Sequence, residues 1–384
     1  MPSASDAPPA PNAGGAGKGE PRVLFVATSG GEGGIERYSV RLAALLRARG
    51  VPVTYAVRPG GFLEGLCAAH GIPTLPWRVR NSGDVRASFA LARLLREHAI
   101  DIVHVHSRRD YVPAVLGAAL RRPRPRLLLH AHLIRRLGEP PRLAGRFFQW
   151  GASGVIAVSE AVRARLLSEH GFPPGFVHLL PNGVDAAAFA AADGAAQRRA
   201  WGVPADALVI GMMGRLNAKG QARLLTVAPE ILAAFPDIWL VLAGPEGEAG
   251  DRRRLMDQAK ALDIGERVVL PGMIEDVPAT MAGFDLLAHL PTDESFGLAL
   301  AEAMAAGLPT VATDIGGCRE VVQDGVTGTL VPPDDARALA SALTRLLSCP
   351  EERGRMGAAG RRRVLDEFSL DRQVERLHDL YLRI

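Results

Sequence analysis

The sequence predicts an α/β protein of two domains, each with a parallel β-sheet between layers of helices. Its 384 residues are long for one domain and typical of two. Short apolar runs alternate with longer segments whose apolar residues recur at helical spacing, which is the pattern of a strand followed by a helix. The apolar fraction of 48%, with only 5% aromatic residues, fits cores of Leu, Val and Ala. In sheets of this kind, ligands bind at the carboxyl ends of the strands.

The alternation begins with residues 21–29 (PRVLFVATS), an apolar run that predicts the first strand. A glycine-rich loop at 30–34 follows, and residues 35–50 are apolar at helical spacing. The backbone amides of such a loop could cradle a phosphate. A dinucleotide-binding fingerprint would need glycine where Glu36 stands and an acid where Arg58 ends the next strand, so nicotinamide binding is disfavoured. A tight turn without a ligand stays an alternative.

The same rhythm continues along the first half of the chain. We expect strands at 72–77, 100–105 and 126–132, and helices at 61–70, 84–98 and 111–120. Ser159 is the expected N-cap of the helix that follows the strand near residue 154.

Two strands carry paired histidines, His104 with His106 and His130 with His132. Such pairs could hold zinc, but carboxylates that support ligating histidines are sparse nearby, so we expect no metal. A neutral imidazole at a strand end can both donate to and accept from a sugar or phosphate, which makes His106 and His132 candidate site residues. A hydrogen-bonded structural histidine is the alternative for both.

Residues 291–317 (PTDESFGLALAEAMAAGLPTVATDIGG) carry the densest set of candidates. We expect a helix that begins near 295–297 and ends at Ala306, before Gly307. Glu302 is the only charged residue of this helix. It must face a partner or a solvent-filled cleft, because burying an unpaired carboxylate is unfavourable in free energy. Glu294 precedes the first turn, where open amides and the helix dipole suit an anion or a polyhydroxyl ligand. The amides concerned are those of Ser295, Phe296, Gly297 and Leu298. A buried helix with one internally paired Glu is the alternative.

Residues 208–220 (LVIGMMGRLNAKG) predict a strand, a turn and the start of a helix. Arg215 and Lys219 in this turn could grip a diphosphate, since a guanidinium binds phosphate oxygens in pairs and an ammonium acts as a point charge. Two surface cations at a helix start are the alternative.

These motifs together resemble glycosyltransferase family 4. The resemblance rests on Glu294 and Glu302 with seven residues between them, on the Arg215–Lys219 turn, on Asn-Gly-Val-Asp at 182–185 and on the glycine loop, and it covers about 21–384. It implies a GT-B fold: an acceptor domain at 21–190, a nucleotide-sugar domain at 191–368, and a last helix at 369–384 that crosses back. Residues 1–20, rich in Pro, Ala and Gly, are expected to form a disordered tail.

The resemblance also implies residue roles. Glu294 would contact the donor sugar and Glu302 the ribose, while His132 takes the position of a histidine near the anomeric centre. Arg215 and Lys219 would hold the diphosphate, although their interval is one residue shorter than the family pattern. The remaining contacts to the donor would come from Gly31, Gly33 and Gly34. Met273 and Ile274 would contact the nucleobase, but ordinary packing in the core is at least as good an explanation for these two residues.

The activity implied is transfer of a hexose-type sugar from a nucleotide-diphosphate sugar with retention of configuration. Neither a metal nor a further cofactor is needed. The acceptor would be a saccharide or lipid-linked saccharide, by family habit one of bacterial lipopolysaccharide or surface-polysaccharide assembly. A sugar-nucleotide epimerase and a non-catalytic nucleotide-sugar-binding protein stay open as alternatives.

Charge is divided between the halves of the chain. Residues 21–185 carry roughly +12 and residues 186–384 roughly −7, within a total of +4. The basic half lacks a nucleic-acid motif and aromatic residues for base stacking, so we expect no nucleic-acid partner. Its densest basic segment also holds Leu, Phe and Trp residues, which favours an anionic membrane surface or acceptor; a solvated loop and an ordinary helix are an equal alternative. The arginines concerned are Arg135, Arg136, Arg142 and Arg146, with His106 as a further candidate on this face.

The expected location is the cytoplasm, with peripheral contact at the inner face of the membrane. The first residues lack the basic and apolar regions of a secretory signal, and no apolar run approaches the ~18 residues of a spanning helix. The three cysteines, Cys67, Cys318 and Cys349, have neither zinc spacing nor a disulfide framework.

Overall fold

Short aliphatic runs form the strands because both faces of each sheet are covered by helices. The first strand, VLFVA, is buried along its whole length. The computed structural model describes residues 19–28, 33–133 and 136–384. The predicted disordered tail therefore lies outside the described residues except for its last two positions.

The first sheet is entirely parallel, with strand order β3-β2-β1-β4-β5-β6-β7 among the described residues. Its strands are β1 (Val23–Ala27), β2 (Val53–Val57), β3 (Thr74–Pro76), β4 (Ile102–Val105), β5 (Arg126–Ala131), β6 (Gly154–Ala157) and β7 (Val177–Leu179). The helices that cover this sheet begin where the sequence provides caps. Asp84 accepts from the amide of Ala87 at 3.1 Å, and Ser159 accepts from the amide of Val162 at 3.1 Å, as predicted for Ser159.

The helices of the first half, up to the start of the second sheet, alternate with these strands. They are α1 (Gly34–Ala48), α2 (Phe62–Ala69), α3 (Val85–Glu97), α4 (Tyr111–Ala119), α5 (Pro141–Gly151), α6 (Glu160–Arg165), α7 (Ala186–Ala190) and α8 (Ala195–Ala200). A π-helical turn at Leu166–His170 continues α6.

The second sheet repeats the first. Its order in the described chain is β10-β9-β8-β11-β12-β13, which is again third, second, first, fourth, fifth, sixth when numbered from its own first strand. All its strands are parallel: β8 (Val209–Met213), β9 (Trp239–Ala243), β10 (Val268–Gly272), β11 (Leu286–His289), β12 (Thr310–Thr313) and β13 (Gly328–Val331). This order is that of a Rossmann-like sheet. The prediction of two parallel-sheet α/β domains is therefore confirmed.

The helices of the second half are, in order, α9 (Gln221–Ala234), α10 (Asp251–Ala261), α11 (Val277–Ala282), α12 (Leu298–Ala306), α13 (Gly316–Val321), α14 (Ala336–Ser348), α15 (Pro350–Glu367) and α16 (Leu370–Arg383). Strand β13 and helix α15 were not among the sequence expectations. Helix α12 begins at Leu298, and Gly297 before it has φ +94°.

The chain passes between the domains twice. At the second passage the amide of Val184 donates to Phe368 O at 2.8 Å, and the amide of Leu370 donates to Val184 O at 3.0 Å. Helix α16 then packs on the first domain, where Leu377 and Tyr381 are buried in the same core as β1 and β2. The two domains are thus joined through buried side chains as well as through the chain itself.

Candidate active site

The second sheet has its topological switch point between β8 and β11, where the chain leaves the two neighbouring strands in opposite directions. Open α/β sheets bind ligands at this point, outside the carboxyl ends of the strands. The loop after β8 holds Arg215 and Lys219, and the loop after β11 holds Glu294. The fold therefore brings together residues that lie about 75 positions apart.

Lys219 and Glu294 form the centre of the candidate site. The Nζ atom of Lys219 lies 2.6 Å from Oε2 of Glu294, and the Nε2 atom of His289 lies 2.8 Å from the same oxygen. The amide of Ser295 donates to Oε1 at 3.1 Å. The side chains of Lys219 and Glu294 are 24% and 12% exposed, so the pair lies at the wall of a cleft.

The Glu294 carboxyl stays ionised. Burial alone would raise its pKa, but the hydrogen bond from His289 and the ammonium of Lys219 outweigh burial and hold the pKa well below its usual range. Burial lowers the pKa of His289, so this imidazole is neutral and donates through Nε2. The result is a fixed carboxylate beside a fixed cation.

Backbone contacts fix this arrangement. The amide of Leu290, just beyond β11, donates to the carbonyl of Lys219 at 2.9 Å. Gly220 has φ +80°, and a Cβ there would overlap the carbonyl of Leu290. Only glycine allows the Lys219 turn to lie this close to the end of β11.

Arg215 lies on the same turn with its guanidinium exposed. The stem of Lys219 packs on Gly214, the residue before Arg215. The aliphatic part of Arg215 lies against Gly247 in the loop after β9. Its guanidinium donates to no protein acceptor among the described residues, so it can bind an anion at the cleft beside Lys219.

The N-terminus of α12 opens beside Glu294. Within the described ranges, the amides of Gly297 and Leu298 donate to no protein acceptor, whereas the Ser295 amide is hydrogen bonded to Glu294. Phe296 is buried, and its ring lies 5.5 Å from that of Phe368, edge to face. Amides at this end of α12 are therefore available for an anion, which the positive end of the helix dipole favours.

Glu302 lies on α12, whereas Glu294 lies in the loop before that helix. Burial raises the pKa of its carboxyl to about 7, and only the charge of Arg41 on α1 opposes this rise. The carboxyl accepts no hydrogen bond from any residue that the structure describes. Since Arg41 belongs to the first domain, Glu302 faces the cleft between the domains and has acceptor capacity for a hydroxyl ligand.

The four strand histidines form two hydrogen-bonded pairs. His104 Nε2 lies 3.1 Å from His130 Nδ1, and His106 Nδ1 lies 3.1 Å from His132 Nε2. The ring planes of the first pair are within 6° of parallel. One ring nitrogen from each of His104, His106 and His130 also lies within 4.8 Å of the others. Each pair shares one hydrogen bond, while Nε2 of His106 and Nε2 of His130 are buried with no hydrogen-bond partner among the described residues.

His132, predicted near the reacting centre, lies at the end of β5 under Tyr38 of α1, with ring centroids 5.7 Å apart. Burial lowers the pKa of His132 to about 3, so it is neutral. It forms no hydrogen bond with Lys219 or Glu294 in the described residues. His106 is buried beside it, behind the first-domain wall of the cleft.

The predicted glycine loop is described only from Gly33 onward. Gly33 is the N-cap of α1 and Gly34 is its first residue, while Gly31 lies outside the described residues. Met273 is 48% exposed and follows Gly272, which has φ +85°; Ile274 is partly buried against the core.

The arginines of the predicted basic face lie in two different environments. Arg136 pairs with Glu139 at 2.9 Å and with Glu169 at 2.8 Å, which neutralises much of its charge, and Arg135 lies outside the described residues. Arg142 and Arg146 are exposed on α5, together with Leu143 (62% exposed) and Trp150 (58% exposed). None of the described helices has the length and apolar content to cross a bilayer.

Sequence reasoning missed two features of the site. His289 is the last residue of β11, and its position at a strand end in front of Glu294 was the available signal. Gly316 and Gly317 open α13 against the Glu294 loop: the amide of Gly317 donates to the carbonyl of Glu294 at 3.0 Å, and a Cβ on Gly317 would lie 2.5 Å from the backbone of Phe296. Only the fold shows this contact.

Comparisons with known proteins identify the family of the chain. Residues 32–188 match the family described as Glycosyltransferase Family 4, and residues 193–363 match Glycosyl transferases group 1. The chain is 31% identical to the phosphatidyl-myo-inositol mannosyltransferase of Mycobacterium leprae over 350 residues, which are 85% of this chain and 87% of that protein. It is 35% identical over 252 residues to a D-inositol 3-phosphate glycosyltransferase of Kineococcus radiotolerans.

That second alignment covers 59% of this chain and 58% of the Kineococcus protein, so the matched part spans less than two thirds of that relative. Among solved structures, Anabaena Alr3699/HepE in complex with UDP and glucose superposes with a TM-score of 0.84 at 24% identity, over 95% of this chain and 100% of that one. This likeness shows the two-domain GT-B fold. The chain belongs to the group 1 glycosyl transferases, the glycosyltransferase family 4 type, and has their GT-B fold.

Proposed function

We propose that the protein transfers a hexose-type sugar from a nucleotide-diphosphate sugar to a saccharide or lipid-linked acceptor, with retention of configuration. The observation that carries the proposal is the Lys219–Glu294 pair at the switch point, beside an unpaired guanidinium and two open helix amides. These groups match the two ends of a donor: cations and amides for the diphosphate, and a carboxylate for sugar hydroxyls.

In the proposed reaction, negative charge builds on the departing diphosphate. Arg215, Lys219 and the amides of Gly297 and Leu298 stabilise this charge electrostatically. We therefore propose a reaction that needs no metal ion. Binding the diphosphate would also draw Lys219 toward it, while His289 keeps Glu294 oriented toward the sugar.

The spacing of the carboxylates favours a route without a covalent enzyme intermediate. A retaining hydrolase of the usual kind holds two carboxyl groups about 5 Å apart across the sugar. Glu294 lies in the loop before α12 and is paired with Lys219, whereas Glu302 lies on α12, so we propose that the two do not flank one anomeric carbon. We propose that the acceptor hydroxyl attacks from the face that the diphosphate leaves, with the leaving phosphate as the base, near Glu294 and His132.

The donor experiment uses UDP-glucose and GDP-mannose as probes, with products detected by mass spectrometry and their anomeric configuration by NMR. Wild-type protein should transfer sugar in excess EDTA. Lys219→Met should lower kcat about 100-fold, whereas Lys260→Met, an exposed lysine on α10, should leave it unchanged. Donor turnover without an acceptor would indicate an epimerase, and binding without turnover a non-catalytic binding protein; either result contradicts the proposal.

For the acceptor we propose an anionic polyol or saccharide phosphate, free or lipid-linked. The support is the excess of positive charge in the first domain and the names of the relatives, which act on inositol 3-phosphate and on phosphatidyl-myo-inositol. A lipopolysaccharide or surface-polysaccharide acceptor has less support, because the relatives named here act on inositol compounds.

We also propose that the protein works in the cytoplasm and contacts the anionic inner face of the membrane through α5. Arg142 and Arg146 would meet lipid phosphates while Leu143 and Trp150 enter the interface. The double variant Arg142→Gln/Arg146→Gln should lose cosedimentation with anionic liposomes, and Arg252→Gln/Arg253→Gln on α10 should keep it. Equal binding by both variants, or none by the wild type, contradicts this assignment.

A further inference from the structure

Helix α13 touches the donor loop at one end and the first domain at the other. At its start, the amide of Gly317 donates to the carbonyl of Glu294, and Gly317 packs directly on the backbone of Phe296. A Cβ added to Gly316 would lie 2.7 Å from the same carbonyl and 4.0 Å from the Cβ of Ala161 on α6. A helix of six residues therefore spans from the candidate active site to the domain interface.

At the other end of α13, the carboxylate of Glu320 crosses the interface. Its Oε2 accepts from the amide of Glu160 at 2.7 Å, and its Oε1 accepts from the amide of Ala161 at 2.8 Å. These are the first two amides of α6, which have no acceptor inside their own helix. An ionised carboxylate is a strong acceptor for such amides, and the helix dipole adds to the attraction.

Arg363 of α15 holds the end of α13. Its Nη2 atom donates to Glu320 O at 2.8 Å and its Nε atom to Val321 O at 3.0 Å. The same guanidinium lies over the ring of Phe368, and that ring contacts Phe296 in the donor loop. The backbone on both sides of Glu320 is thus tied to the donor loop, so a shift of the loop must move the carboxylate or break one of these contacts.

We propose that Glu320 is a positioning residue for sugar transfer: through α13 it couples the donor loop at Glu294 to the alignment of the first domain. This inference rests on the proposed function for its effect on turnover. Glu320 does not touch the donor. It sets where α6, and with it the acceptor-binding domain, lies relative to the sugar.

The test compares Glu320→Gln with Glu367→Gln, which removes another partner of Arg363 but leaves the domain interface unchanged. Hydrogen exchange of the Glu160 and Ala161 amides should quicken about tenfold in Glu320→Gln only, because charge-assisted hydrogen bonds are lost. With whichever donor the transfer assay identifies, the kcat of Glu320→Gln should fall about tenfold while its Kd for UDP or GDP stays within about twofold of the wild-type value. Glu320→Asp keeps the charge and should give intermediate values.

An unchanged kcat in Glu320→Gln would overturn the inference, as would a loss of UDP or GDP affinity equal to the loss of kcat. The failure of the proposed function is a separate result. If the wild type binds UDP or GDP but transfers no sugar, the coupling still predicts that nucleotide binding changes exchange at Glu160 and Ala161 in the wild type and not in Glu320→Gln. If the exchange of these amides in the wild type stays the same when UDP or GDP binds, the inference is overturned.

Discussion

Glu294 and Glu302 have the same side chain and opposite environments. Glu294 has two side-chain partners, Lys219 and His289, and its pKa lies well below the usual range. Glu302 has no hydrogen-bond partner among the described residues, and burial raises its pKa to about 7. The first is a fixed charge before any ligand arrives; the second is an acceptor that a ligand hydroxyl can satisfy.

This contrast predicts different kinetic effects at the two positions. Glu294→Ala should lower kcat more than it weakens nucleotide binding, because the proposed function places Glu294 at the sugar end of the donor. Glu302→Ala should weaken UDP or GDP binding about tenfold or more, because hydrogen bonds from the ribose to a charged carboxylate would be lost. Calorimetry that shows intact nucleotide affinity in Glu302→Ala would contradict the ribose assignment.

The raised pKa of Glu302 predicts a pH-dependent cost to stability. Its folded pKa of about 7 lies above the ordinary value of 4.5, so the stabilisation from the protonated form is complete below about pH 4.5 and is lost as pH rises through 7. Glu302→Gln, which cannot ionise, should exceed the wild type in unfolding free energy by about 2 kcal/mol at pH 8. The gap should shrink toward pH 5 in denaturant titrations; a gap independent of pH would contradict the assignment.

At the scale of elements, α12 is held by α15. Arg361 of α15 donates to the carbonyls of Ala305 and Ala306 at 3.1 and 3.0 Å, which are the last carbonyls of α12. Gly357 lets α15 approach closely, since a Cβ there would overlap the carbonyl of Gly307. The C-terminal end of the donor-site helix is therefore fixed by a helix far along the chain.

Two glycines in α15 give a matched test of this packing. Gly354 has open space where a Cβ would lie, whereas Gly357 has none. Gly354→Ala should raise the unfolding free energy by about 0.5 to 1 kcal/mol through helix propensity alone. Gly357→Ala should lower it by about 1 to 3 kcal/mol, the usual cost of overpacking, and should lower nucleotide affinity as α12 moves. Equal effects in thermal unfolding would contradict the packing argument.

Element prediction failed where packing, rather than periodicity, decides the structure. Strand β13 is four residues long and half-buried at its centre, and α15 contains glycines and many charges, so neither has a strong apolar repeat. By contrast, β1 is a buried aliphatic run and α3 has apolar residues on one face with Asp84 as its cap, and both were predicted to within about two residues.

For the whole molecule, α16 joins the end of the chain to the first domain. The amide of Gly183 donates to Gln373 Oε1 at 2.9 Å, and Gln373 also bonds Tyr38 on α1. Tyr381 bonds His104 at 2.6 Å. The last helix therefore completes a core whose strand residues come from β1, β2, β4, β5 and β6 of the first sheet.

This arrangement predicts unequal effects at two leucines of α16. Leu377 is buried in the first-domain core, and Leu382 is 58% exposed. Leu377→Ala should cost about 2 to 5 kcal/mol and Leu382→Ala less than about 0.5 kcal/mol. Hydrogen exchange by mass spectrometry should show the loss of protection in β1 and β2 rather than in the second sheet; loss confined to the second sheet would contradict the assignment.

The sequence by itself determined the two α/β domains and predicted the residues of the candidate site, because apolar periodicity, glycine turns and the Glu294…Glu302 spacing are local properties of the chain. It could not show that His289 completes the Glu294 site, that the histidines pair with each other, or that Glu320 reaches α6, because each of these depends on which side chains meet across distant elements. Tertiary packing alone sets those distances, and with them which charges are neutralised and which stay available to a ligand.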